Sequence, residues 1–321
     1  MDLFLYNCSP GNLYVRHDRE FIGSTYKKAV YREFTDETFT TIVKRTRKDY
    51  HLGVLGPFIK AAVGDQIEIV YKNMASFENS ISLSNLLEDN QMINTQREGV
   101  KPGNVARYKW LVPKRSGPGP NEPNCVGYSY TSPVFPKRDL ATGLLGPLVI
   151  CRKGILDKHG NRIDNVDEEF VTAFVIFNER DSHYFNDNLQ KYVPNKQNPQ
   201  NSLFREATQR YSINGFSFQN IPSLDMKVGD HVAWYTYSFG SFLDAHSSHT
   251  HGQTFLLRTS KTFRNDVVGV VPGTYEILEM LGTEPGIWMF HCHVGPHVSG
   301  GMFGVYTVFP NSTSSYGNHS Y

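Results

Sequence analysis

No stretch of this 321-residue chain approaches the ~20 consecutive apolar residues that cross a bilayer as a helix, so the sequence as given is read as having no membrane span. Net charge is equally scarce. Lys+Arg number 32 against 31 Asp+Glu, a formal charge of +1, and no basic run occurs, so nothing electrostatic points to nucleic acid or an anionic membrane as partner. A long helical period is missing too. With 27 Gly, 17 Pro and 13% aromatic residues the composition instead favours an all-β protein with many turns. There are only four cysteines, and between residues 18 and 158 the one histidine is His51, read as structural.

The chain also lacks a secretory signal. Its start, Met1-Asp2-Leu3-Phe4-Leu5-Tyr6-Asn7-Cys8, has no basic segment and turns polar too soon. Other marks point outside the cell: the sequons at Asn7, Asn311 and Asn318, and a disulfide expected between Cys125 and Cys151. Those cysteines lie on segments that read as adjacent strands, and two separate buried thiols are the alternative. Cys8 has no evident partner. The two sets of marks are reconciled if the chain is a fragment of a secreted protein, or of one held on the exoplasmic face by an anchor elsewhere.

Histidine is concentrated where the rest of the chain has little of it. Six of the twelve histidines fall between residues 246 and 302, in HSSHTHG and HCHVGPHVSGGM. Alternate side chains of a β-strand share a face, so His291 and His293 face one way and Cys292 the other. By the same parity His249 and His251 share a face while His246 takes the opposite one. Two groups follow, with His246 joining Cys292 on one side and His249, His251, His291 and His293 converging on the other. His297 and Met302, five and ten residues after Cys292, complete two imidazoles, a thiolate and a weak thioether, the donor set of a blue-copper electron-transfer site. Zinc is the alternative metal, although it has no use for the methionine or for four more histidines on the reverse face.

The two halves of the chain echo each other. Val63-Gly64-Asp65 recurs as Val228-Gly229-Asp230, Pro102-Gly103 as Pro272-Gly273, and TGLLGPLVI as GGMFGVYTV, at near-constant offsets that indicate a duplicated domain. Each copy reads as short strands broken by Gly, Pro, Asn and Asp, which predicts two tandem Greek-key β-sandwiches, residues 1–156 and 157–312, with a flexible tail at 313–321. The polar stretch 152–170 reads as a linker or exposed hairpin. Residues 201–210 are the best candidate for a short helix, capped by Asn201 or Ser202. In the first copy Ser129-Tyr130-Thr131 stands where the second has His291-Cys292-His293, Leu144 stands for Met302, and NSISLSN (79–85) stands for the HxxHxH stretch. No copper would bind there in this way.

The stretches HLGVLGPFIKAAVGDQIEIVYKN, YREFTDETF, NCVGYSY with ATGLLGPLVIC, and PGTYEILEM with PGIWMFHCHV make the sequence resemble the C-terminal pair of plastocyanin-type cupredoxin domains of the ceruloplasmin and hephaestin group of multicopper oxidases. The first three stretches also resemble the A domains of coagulation cofactors, whereas HSSHTHG with HCHVGPHVSGGM marks the oxidases. The resemblance implies that His246, Cys292, His297 and Met302 hold a type 1 copper. It implies that His249, His251, His291 and His293 are half of a trinuclear copper cluster that reduces dioxygen to water, with Cys292, His291 and His293 carrying electrons between the two.

Two departures from the family pattern bear on activity. The first domain supplies none of the other four histidines, so the resemblance makes the chain at most half an oxidase, inactive alone and dependent on missing N-terminal cupredoxin domains. The family's ferroxidases also place acidic and histidine ligands for iron beside the type 1 copper. Here Glu206 is present, but Tyr211 stands where a histidine is expected and Pro296 where an aspartate is. Three functions are therefore weighed: a ferroxidase-type oxidase with Fe(II) as favoured reductant, a blue-copper electron-transfer module without oxygen chemistry, and a non-catalytic A-domain-like binding protein.

Overall fold

The computed structural model describes residues 13–88, 98–195, 199–222, 224–240 and 244–310. Asn7, Cys8, Asn311, Asn318 and the tail 313–321 lie outside them. In the first half the strands are β1 (Ile59–Ala62), β2 (Gln66–Lys72), β3 (Ser82–Leu83), β4 (Leu87–Glu88), β5 (Val105–Leu111), β6 (Cys125–Thr131) and β7 (Leu145–Cys151). They pair as a four-stranded sheet, β1-β7-β6-β3, and a three-stranded one, β2-β5-β4.

The second half contributes β8 (Glu168–Asn178), β9 (Gln209–Ile213), β10 (Asp225–Lys227), β11 (His231–Phe239), β12 (His246–Thr250), β13 (Phe255–Arg258), β14 (Thr262–Asn265), β15 (Val267–Val270), β16 (Tyr275–Leu281), β17 (Gly286–Cys292) and β18 (Phe303–Phe309). These form a six-stranded sheet, β14-β13-β16-β11-β8-β9, and a five-stranded one, β10-β18-β17-β12-β15. Among the described residues no sheet takes strands from both halves. The chain is two tandem cupredoxin-like β-sandwiches.

The repeated Val-Gly-Asp motif has one physical cause in both copies. Gly64 and Gly229 each sit at φ 94°, a left-handed turn conformation that costs glycine little. The following aspartate turns back on the chain, Asp65 accepting from the Ala62 amide at 2.8 Å and Asp230 from the Lys227 amide at 2.7 Å. Each turn launches the next strand, β2 in one copy and β11 in the other.

Four hydrophobic clusters lie among the described residues, and three of them position the sheets. One lies inside the first sandwich around Tyr108, Trp110, Tyr130 and Leu148, and one inside the second around Phe174, Trp234, Phe255, Phe290 and Tyr306. The third joins the halves. Val171, Ala173, Val175 and Phe177 of β8 pack with Leu145, Val149 and Cys151 of β7, while Phe170 and Phe174 face the second sandwich's own core. Burial on both faces explains the continuous apolar run of β8. His51 lies in this joint. It is buried, and its Nε2 accepts from the Val171 amide at 3.1 Å, while Asn214 bridges the His51 and Val171 carbonyls at 2.7 Å each.

Cys125 and Cys151 are directly opposed on β6 and β7 and are joined as a disulfide. The polar segment after β7 is a hairpin, closed by the Leu156–Arg162 bridge. The short helix spans Ser202–Ala207, with the Asn201 side chain accepting from the Leu203 and Phe204 amides. It stops short of the expected residue 210 because Gln209–Ile213 is drawn into pairing with β8.

Candidate metal centre

The centre is built on β12 and β17, which pair antiparallel with Ser248 opposite Cys292, His249 opposite His291 and Thr250 opposite Phe290. Along β12 burial alternates, so His246, Ser248 and Thr250 point into the sandwich. On β17 Phe290 and Cys292 belong to that same core. The strand parity read from the sequence therefore holds. His246 and Cys292 lie on the inner face, His249 and His291 on the outer.

On the inner face His246, Cys292 and His297 converge, with one ligand atom from each lying within 4.8 Å of the others. The Cys292 Sγ is 3.7 Å from His246 Nδ1 and 3.4 Å from His297 Nδ1, and the two Nδ1 atoms are 3.2 Å apart. Three donors around one ion, with metal–nitrogen and metal–sulfur bonds of about 2.0 and 2.3 Å, would be separated by about 3.3–3.8 Å. The observed triangle fits an ion at its centre.

Burial favours neutral imidazoles there. It pushes His246 down to about 3, with neighbouring His297 adding to the effect, and it lowers His297 as well, partly offset by Asp244. Burial also raises the Cys292 thiol, so that binding a metal must displace its proton.

The approach of His297 and Met302 is set by a short helix and a turn. His297 lies on the helix Gly295–Ser299, which has proline in its first turn. Fully buried Met302 is tied to the site by its backbone, accepting from the Cys292 amide and donating to the His297 carbonyl, both at 3.0 Å. Beyond His297 lies Tyr211, with ring centroids 5.5 Å apart. The Tyr211 hydroxyl donates to Glu206 Oε1 at 3.3 Å, and Tyr14 donates to the same oxygen at 2.5 Å. Gln209 reaches Glu206 Oε2 at 3.4 Å. Glu206 is thus a hydrogen-bonded carboxylate one residue removed from the inner-face ligands.

On the outer face His249, His251 and His291 bring one nitrogen each within 4.8 Å of the others, and His251 Nε2 is 3.1 Å from His291 Nε2. His293 joins them at ring level, 5.1 Å from His249 and 5.3 Å from His291, but is exposed and stands outside the tight group of three. His291 has its tautomer fixed. Its Nδ1 lies 2.9 Å from the Cys292 carbonyl, which can only accept, so Nδ1 carries the hydrogen and Nε2 the lone pair. Cys292 is thereby joined to His291 and His293 through its peptide bonds and to the His291 ring through the hydrogen bond to its carbonyl.

His251 owes its position to two residues that no spacing rule announces. The hydroxyl of buried Tyr306 donates to the His251 carbonyl. Gly252 turns the chain at φ 70°, and any Cβ there would meet the Trp288 ring at 2.2 Å. Tyr14, 192 residues from Glu206, is a third such case, and Asp266, whose Oδ2 is 3.6 Å from His249 Nε2, a fourth. In the first half β3 pairs with β6 much as β12 pairs with β17, but Ser129, Tyr130 and Thr131 take the strand positions and buried Leu144 the place of Met302.

Residues 188–312 match the multicopper oxidase family. The chain is 43% identical to human hephaestin over 304 residues, covering 94% of this chain and 26% of that protein. It is 41% identical to the human ferroxidase HEPHL1 over 305 residues, and 38% identical to human ceruloplasmin over 308 residues, covering 95% of this chain and 28% of that one. The chain thus spans about a quarter of the length of the relatives it matches.

Among solved structures, the multicopper oxidase mgLAC aligns over 83% of this chain and 79% of its own, with TM-score 0.57 and 18% identity. A copper nitrite reductase from Nitrosomonas europaea aligns over 81% and 85%, also with TM-score 0.57 and 18% identity. At that identity the likeness concerns the fold. Copper is the metal this family implies, and the donor set of the inner face suits it. The chain carries a multicopper oxidase domain and is related, over nearly its whole length, to hephaestin, HEPHL1 and ceruloplasmin.

Proposed function

We propose that this chain is the copper-binding part of a ferroxidase-type multicopper oxidase, in which electrons from Fe(II) are passed to dioxygen. In this reading His246, Cys292, His297 and Met302 would hold a type 1 copper. His249, His251, His291 and His293 hold their half of a trinuclear cluster, and a further cupredoxin domain supplies the other four histidines. The observation that carries the reading is the back-to-back arrangement on one strand, with Cys292 facing His246 and His297 while His291 faces His251. Bound copper would supply one-electron redox chemistry. The residues of the chain fix the donor positions, exclude water from the buried inner face, and connect the two groups through the Cys292–His291 peptide.

The outer sheet face suits a domain partner. It exposes Val267, paired with His249, and, further along β17, Ile287, 70% accessible, apolar side chains that such a partner would cover. We place the division between the two sandwiches near residue 156, in keeping with the sorting of strands into separate sheets. The chain alone would be inactive towards dioxygen. Glu206, close to Tyr211 and His297, is the candidate carboxylate for the iron substrate, and the name of the relative ferroxidase HEPHL1 favours that substrate. The parent protein would work outside the cell or on the exoplasmic face.

A second reading, a blue-copper electron-transfer module without oxygen chemistry, is favoured by the absence of any histidine from the first half's counterpart positions. The visible spectrum of the copper-loaded chain, taken with its copper content, tests both. One tightly held copper with an intense blue thiolate band is expected. Absence of the band would sink the type 1 assignment. Dioxygen reduction that appears once a histidine-bearing cupredoxin domain is supplied would decide for the oxidase over the electron carrier.

A further inference from the structure

The first sandwich carries the backbone frame of the inner-face site with other side chains in it. In the second half the Cys292 amide donates to the Met302 carbonyl and the Met302 amide to the His297 carbonyl. In the first half the Ser132 amide donates to the Leu144 carbonyl at 3.4 Å and the Leu144 amide to the Asp139 carbonyl at 3.0 Å. Asp139 lies on the helix Pro136–Thr142, which, like that of His297, has proline in its first turn. The Ser80 amide reaches the Ser132 hydroxyl at 3.1 Å, as the Ser247 backbone reaches the Cys292 sulfur, and Ser82 pairs with Thr131 as His249 does with His291. By these contacts Asn79, Ser132, Asp139 and Leu144 take the places of His246, Cys292, His297 and Met302. The backbone frame thus falls two residues beyond the sequence echo that set Ser129-Tyr130-Thr131 against His291-Cys292-His293.

An imidazole enters this frame from the other half of the chain. His183 follows the turn of 3-10 helix Glu179–Asp181, and its Nε2 lies 2.8 Å from Asp139 Oδ1. The other Asp139 oxygen accepts from the Ser132 hydroxyl at 2.5 Å and the Phe135 amide at 3.0 Å. The His183 ring stacks on Phe77, with centroids 3.7 Å and planes 8° apart, and the His183 amide donates to the Thr142 hydroxyl at 2.9 Å. Asp139 is fully buried and the His183 side chain 8% exposed, so the pair is stable there only with its hydrogen bonds complete. We propose that the ligand frame of the first sandwich is the socket of a latch, which receives His183 and fixes the second sandwich against the first. The apolar joint between β7 and β8 is non-directional, whereas the bond to Asp139 and the stack on Phe77 select one relative orientation. The latch holds whether or not the second half binds copper.

The test is amide exchange in the full chain, read by mass spectrometry over residues 136–144 of the first half and 182–190 of the second, with long-range ¹⁵N spectra of the histidine rings. In the wild type His183 is expected to carry an exchange-protected hydrogen on Nε2; a hydrogen on Nδ1 instead would overturn the latch without any variant. In His183→Ala both segments should exchange about 10–100-fold faster, the effect of losing one hydrogen bond to a carboxylate. Added imidazole should fill the socket and slow both again. His183→Phe keeps an aromatic ring on Phe77 without the bond to Asp139, and should stay accelerated and insensitive to imidazole. Acceleration in one segment alone, no response of His183→Ala to imidazole, or wild-type protection in His183→Phe would overturn the proposal.

Discussion

Replacing Cys292 with serine separates the metal chemistry of the inner face from its contribution to the fold. Cys292 is fully buried in the core of the second sandwich, and backbone groups of Ser247 and Val294 are directed at its sulfur. A serine hydroxyl would find those same groups, so the variant loses a small apolar group and buries a partly satisfied polar one, a cost of about 1–3 kcal/mol. Against a domain stability of about 5–15 kcal/mol the sandwich stays folded, with its melting point lowered by roughly 2–12 °C.

Copper should behave in the opposite way. At one hundred times its dissociation constant it would stabilise the wild type by about 2.7 kcal/mol, and Cys292→Ser should forfeit most of that increment together with the blue band. The assay is a pair of thermal melts followed by circular dichroism, with and without copper, alongside the visible spectrum. A variant that keeps the blue band, or one that is unfolded when metal-free, would refute the assignment of Cys292 as a ligand carried on an independent scaffold.

His249→Ala should leave the blue band intact, because His249 lies on the outer face, and should abolish only oxygen reduction in the complete protein; bleaching of the band would contradict the division of faces. Burial lowers His51 from 6.5 to about 4, so between those values the unfolded chain binds a proton that the folded one refuses. Stability is then fully present above about pH 6.5 and lost by about 3 kcal/mol as pH falls to about 4, and His51→Gln should flatten that part of a denaturant-derived stability profile. Replacing both Cys125 and Cys151 with alanine opens a loop of sequence separation 26, and should cost about 3.5 kcal/mol by loop entropy, read from the shift in urea midpoint.

How much of this was legible beforehand can be seen residue by residue. The parity of β12 and β17 was readable because side chains alternate along any strand, whatever packs on it, so His246 with Cys292 and His249 with His291 could be paired from spacing alone. The Val-Gly-Asp echoes were readable because a left-handed turn selects glycine and the aspartate caps it locally. The helix at 202–207 was found from its cap, but its end was not, since the chain leaves it to pair with β8, a strand some thirty residues distant.

Sequence alone thus determined the fold class, the duplication and the two groups of donors, all of which rest on periodicity and local turn chemistry. Tertiary structure decided what depends on distant segments meeting. It brought Tyr14 to Glu206, the Tyr306 hydroxyl to the His251 carbonyl, the Trp288 ring over Gly252 and Asp266 to His249. It also showed why β8 is apolar on both faces, since one face closes the second sandwich and the other joins it to the first. Such contacts leave no periodic trace, because the residues that make them are set side by side only when the sheets have packed.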